Sequence, residues 1–149
     1  LAAWEDLLRL APPRTIVQLW LPRFEQLHAE HPNLPGITRA AALLHRLADS
    51  PDAARLAHAW VVGADGDPEA WMCRLRVWLR QGALAEARDD AIAAVQESVD
   101  ASEALAEVVR VCEESMRDVS PGVLEALRVL VQQFQALRDE GATPFGGGR

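Results

Sequence analysis

Three times along this 149-residue chain a Ser or Asp, both helix-capping residues, stands directly before a proline: Ser50-Pro51, Asp67-Pro68 and Ser120-Pro121. Proline at the first helical position has no N–H to lose, and the Ser or Asp oxygen before it accepts one of the orphan backbone donors. Asp100 with Glu103 adds the spacing of a capping box. Gly63, Gly82 and Gly141 stand where the helices so begun should stop, in the place of left-handed C-terminal caps. Tyr is absent, and Val, Ile and Thr do not fall in alternating runs, so a sheet is not expected. This punctuation predicts an all-α chain.

The segments so bounded are periodic. Over 68–81 the apolar stripe is Trp71, Leu75 and Trp78, with Arg74, Arg76 and Arg80 off it. Over 84–98 it is Leu84, Ala87, Ala91, Ala94 and Val95, and over 101–118 it is Leu105, Val108, Val109, Cys112 and Met116. Over 121–140 it is Val123, Leu127, Leu130, Phe134 and Leu137, widened by Leu124 and Val131. Spacing of three and four residues places each set on one helical face. That last stripe lasts two heptads, which predicts a core-facing helix rather than a coiled coil.

The N-terminal third is less regular. Residues 2–10 predict a short helix stopped at Pro12-Pro13, and Pro22 interrupts an apolar run, predicting a kink or a fresh start. Pro32 and Pro35-Gly36 mark a turn before a helix at 38–49. Joints of a few residues force neighbouring helices antiparallel, giving hairpins at about 38–62, 68–98 and 101–140. Starts near 38, 68 and 101, offset by about 30 and 33 residues, fall within the range of helix-pair repeats. Each hairpin has more apolar surface than it can bury alone, so stacking, as an α-solenoid or an irregular bundle, is the expected solution. Residues 1–140 thus read as a single all-helical domain, and 141–149, with their glycine run, as a flexible tail. A first residue of Leu1 reads as a fragment or processed product.

Charge narrows the partners. The net charge of −7 sits on residues 81–118, which hold ten acids against Arg88, Arg110 and Arg117. Nucleic-acid binding wants the opposite sign, so it is not expected. The acidic segment reads as a solvated helical face, with an acidic docking surface as the alternative. No stretch approaches eighteen uncharged apolar residues, so no membrane span is expected. Cys73 and Cys112, the two cysteines, read as buried thiols in a reducing, cytoplasmic setting rather than as a disulfide framework.

The stretch 67–99 resembles a tetratricopeptide repeat. That family places one aromatic early in its first helix, another seven residues on, Gly at the turn, and small residues at set points of the second helix. Here Trp71, Trp78, Gly82, Ala87, Ala91 and Ala94 stand at those places. The large residues fill the groove between the helices, and the alanines let the second helix approach closely. The resemblance implies a concave peptide-binding surface near Met72, Arg76 and Arg80. A looser likeness, to the C-terminal helical region of the cytoskeleton-associated protein 2 family, rests on four features. They are Pro35, Pro51-Asp52-Ala53 with Leu56 and Trp60, the stretch Trp71–Gly82, and Glu107-Val108-Val109. It implies a structural region of a microtubule- or spindle-associated chain.

Catalytic motifs are scarce. Glu25 and His28 have the E-x-x-H spacing that sets two metal ligands on one helix face, and His31 follows three residues on. A second such motif is missing: His45 and His58 have Ala42 and Arg55 three residues before them. Glu25, His28 and His31 are therefore weak metal candidates beside their reading as surface or partly packed side chains. Asp65–Glu69 begins like a calcium loop, but its sixth and twelfth positions are Ala70 and Arg76, so it reads as a loop with a cap. No phosphate-cradling glycine motif, nucleophile elbow or zinc-type cysteine spacing occurs. The five tryptophans read as core fillers or as partner anchors. Arg76 and Arg80 read as solvated arginines or partner contacts. The reading that follows is a non-enzymatic scaffold that binds a peptide or helix and needs no cofactor. The alternatives are the structural region named above and a helical enzyme or ligand-binding bundle with its site in the N-terminal third.

Overall fold

A computed structural model of the chain describes residues 13–64 and 67–140. The expected helix at 2–10, the stop at Gly141 and the tail at 141–149 lie outside them. The described residues are all-α, with seven α-helices, one short 3-10 turn and no strand. The chain divides into two compact units, Leu1–Asp65 and Gly66–Arg149.

In the first unit, α1 (Arg14–Glu30), α2 (Pro35–Leu47) and α3 (Ala53–Gly63) follow one another, and α2 packs against both of its neighbours. That middle position explains why Ala40, Ala41 and Ala42 are all buried: a helix covered on two sides has no broad polar face, and alanine lets both partners come close. Val17 and Phe24 of α1 and Leu56, Ala57 and Trp60 of α3 complete this core.

Several boundaries differ from expectation. α1 runs without a fresh start through Pro22. Pro22 and Gln18 are both exposed, so the carbonyl that loses its donor to the proline is on the solvated side of the helix. α2 begins at Pro35 rather than 38, because proline is well suited to the first helical position. The turn is confined to His31–Leu34, where the Leu34 N–H donates to the His31 carbonyl (3.2 Å). Gly63 is the last residue of α3 and not a left-handed stop. The trace continues right-handed into Ala64 (φ −94°, ψ −3°), whose N–H donates to the Trp60 carbonyl.

The α2–α3 joint is closed by a different device. Asp49 takes the left-handed conformation (φ 51°) usually left to glycine. The Asp49 N–H donates to the Arg46 carbonyl (3.1 Å) and the Ser50 N–H to the His45 carbonyl (3.0 Å), the paired bonds of a Schellman motif. Ser50 does not cap α3 directly. Its hydroxyl accepts the Asp52 N–H (3.1 Å), and α3 starts at Ala53, two residues later than the proline suggested.

In the second unit, α4 (Pro68–Gln81) packs against α5 (Leu84–Glu97) and α6 (Ala101–Ser115), and α6 packs against α7 (Pro121–Glu140). The first helix of the second hairpin, α6, therefore lies against both helices of the first, and α5 also touches α7. The Asp67 carboxylate accepts the Glu69 N–H (3.0 Å) and the Asp100 carboxylate the Glu103 N–H (3.1 Å), as the caps predicted. Gly82 (φ 73°) closes α4 with the same Schellman pair, through the carbonyls of Leu79 and Trp78. The last turn of the segment 101–118 tightens into a 3-10 turn, Met116–Asp118.

The core of this unit centres on Leu75, Leu79, Val108, Leu127 and Phe134. Ala87, Ala91 and Ala94 of α5 are at most 1% exposed, as close approach requires. The stripe expected on α4 is displaced. Trp71 and Trp78 are only half-buried, while Cys73, Val77 and Leu79 are buried, because contact with both α5 and α6 covers more than one face.

Candidate functional site

The row Met72, Arg76, Arg80 lies on α4 beside α6. Met72 packs against the core of its unit, and Arg80 is exposed. Arg76 stands between two carboxylates of α6, with Nη2 3.8 Å from Glu107 and Nη1 3.5 Å from Glu114. Arg110 bonds the same two glutamates along its own helix. The hydrogen bond from Arg110, aided by the charges of Arg110 and Arg76, holds the Glu107 carboxyl below its ordinary range against the opposing effect of burial. Two arginines and two glutamates thus form a neutral network between the stacked first helices. Much of the charge of Arg76 is already answered there.

Arg74 also departs from expectation. Off the apolar stripe in sequence, it reaches Asp90 of α5 through two hydrogen bonds, and its guanidinium lies 5.1 Å from the centre of the Trp71 ring. Asp90 is 3% exposed. No local spacing signals this pair, since its members are sixteen residues apart on separate helices.

In the first unit the E-x-x-H residues part company. His28 Nδ1 is 3.4 Å from Thr38 Oγ1 of α2, and His31 is an exposed residue at the end of α1. Glu25 instead meets His45, with Oε1 3.3 Å from Nε2. The group that could share an ion is thus Glu25, His45 and Asp52, whose ligand atoms all lie within 4.8 Å of one another. Spacing failed to find His45 because its carboxylate comes from another helix.

His45 is fully buried. Its Nδ1 is 2.7 Å from Ser50 Oγ, whereas Nε2 is buried with no aligned hydrogen-bond partner despite the nearby carboxylate. Burial lowers the imidazole's pKa from the usual 6.5, and the charges of Glu25 and Asp52 oppose that effect only in part.

A groove of about 370 Å³ opens in the same unit between the α1–α2 turn, the start of α2 and the end of α3. Pro32, Pro35, Thr38, His58, Trp60 and Val62 line it. Val62 is 69% exposed and Leu34, between two lining residues in sequence, is 48% exposed. Arg39 braces Trp60, its guanidinium 5.5 Å from the ring centre. The chain matches no protein-family model, no curated protein and no solved structure.

Proposed function

We propose that this chain is a non-enzymatic interaction module that binds a peptide or helix of a protein partner. The observation that carries the reading is the groove of the first unit, a concave and largely apolar surface with exposed Val62 on its wall. Its volume of about 370 Å³ is within the range of preformed ligand sites, and Trp60, held by Arg39, offers a rigid floor for an apolar anchor. The occupant is the apolar side of a short partner segment, as in helix-in-groove recognition. The stacked hairpins 68–97 and 101–140 are in this reading a separate, tetratricopeptide-like unit. The Met72, Arg76 and Arg80 face is secondary, because Arg76 is already paired within the fold. Cys73 and Cys112, both buried and in no disulfide, suit a reducing compartment such as the cytoplasm. No described helix is long and apolar enough to cross a membrane.

The test is selection of peptides from a displayed random library, followed by amide chemical-shift mapping. Selected peptides carry a large apolar residue, shifts centre on Thr38, Trp60 and Val62, and Val62→Glu weakens binding at least about tenfold. Failure to select any peptide, or shifts that centre elsewhere, refutes the reading.

A further inference from the structure

We propose that Glu25, His45 and Asp52 form a binding site for one divalent transition-metal ion of the zinc class, with Ser50 orienting the imidazole. Three separate pieces of chain supply the ligands: α1 gives Glu25, α2 gives His45, and the turn into α3 gives Asp52. Ligands bound at about 2.0 Å to a tetrahedral ion stand about 3.3 Å apart. The separation between His45 Nε2 and Glu25 Oε1 is 3.3 Å, longer than a good charge-assisted hydrogen bond and equal to such a ligand edge. Asp52 lies within 4.8 Å, on an exposed side chain.

The imidazole supplies the independent observation. His45 is 0% exposed, and its Nε2 lies buried without a hydrogen-bond partner beside the Glu25 carboxylate. The site assigns the ring proton to Nδ1, which donates to Ser50 Oγ at 2.7 Å and leaves Nε2, 3.3 Å from Glu25, with an unused lone pair. Ser50 Oγ has a second acceptor position, used by the Asp52 N–H. One hydroxyl therefore orients a ligand ring and anchors the backbone of a second ligand, the outer-shell arrangement common around protein-bound metals. A neutral imidazole and two carboxylates balance the charge of a divalent ion. Three protein ligands leave a fourth position for water or for a side chain of a partner. Arg55 faces Asp52 at 3.5 Å and is the competitor that the ion must displace.

The experiment titrates zinc ion alone into the chelator-treated full chain by calorimetry, with cobalt ion as the spectroscopic substitute. One ion binds per chain, the melting temperature rises, and the cobalt spectrum shows tetrahedral nitrogen and oxygen coordination. Glu25→Gln and Asp52→Asn, both at exposed carboxylates and checked for helicity, each weaken binding at least about tenfold, while Glu30→Gln leaves it unchanged. Absence of stoichiometric binding overturns the proposal. So does a sulfur-to-cobalt charge-transfer band, which moves the ion to Cys73 or Cys112, and so does binding that ignores both carboxylate variants.

Discussion

Arg74 and Asp90 meet in a two-point ion pair inside the second unit, Nε to Oδ2 at 2.8 Å and Nη2 to Oδ1 at 2.9 Å. The pair crosses from the first to the second helix of one hairpin, so it sets the register in which α4 and α5 pack.

Removing Asp90 leaves the Arg74 charge mostly shielded from water without its carboxylate. Asp90→Ala is therefore expected to lower unfolding free energy by about 3 kcal/mol, whereas Asp89→Ala, at the exposed neighbour, changes it by less than about 0.5 kcal/mol. The double variant Arg74→Met, Asp90→Leu recovers most of the loss, because two apolar side chains need no partners. Urea unfolding of the four proteins measures this. Equal effects at positions 89 and 90 would show that the pair is of no structural consequence.

Gly82 closes α4 at φ 73°. A Cβ there meets only Val123 Cγ2, at an ordinary 3.5 Å, so space is not the obstacle. Gly82→Ala is expected to cost about 1 kcal/mol through the left-handed backbone alone. Gly63→Ala, at a residue without positive φ and with open space around it, is neutral or stabilising. Thermal unfolding of both variants separates the two glycines, and an equal response from them contradicts the assignment.

Burial, with the charge of Glu113 adding to it, pushes the Cys112 thiol up to about 12. The folded protein then holds a proton that the unfolded chain releases near pH 9.0. Stability from this group is complete below that value and is lost as pH rises from there toward the folded pKa. Cys112→Ala is expected to remove that part of the alkaline decline in melting temperature. In the native protein at pH 8.5, Cys112 reacts with a thiol reagent only at the rate of local or global opening. Rapid labelling in the folded state would refute its burial.

How much of this was legible beforehand differs by residue. Asp67, Asp100 and Gly82 were readable because each acts on backbone within a few positions of itself. Ser50 and Gly63 were misread for the same locality. Ser50 bends the turn at Asp52 and bonds His45, while Gly63 lies where the helical trace continues right-handed into Ala64. At the candidate metal site only Glu25 was singled out. His45 has no acid three residues before it in sequence, and its carboxylate arrives from another helix, α1.

The all-α class and the caps at Asp67, Asp100 and Gly82 are decided by short-range physics: side-chain caps, prolines and a three-to-four-residue apolar rhythm suffice for these. Tertiary packing alone decided which polar side chains leave water. Whether Arg74 is solvated or bound to Asp90, and whether His45 is a surface base or a buried one beside Glu25, depends on which helices become neighbours. Desolvation is a property of that neighbourhood, and no spacing within a single helix encodes it.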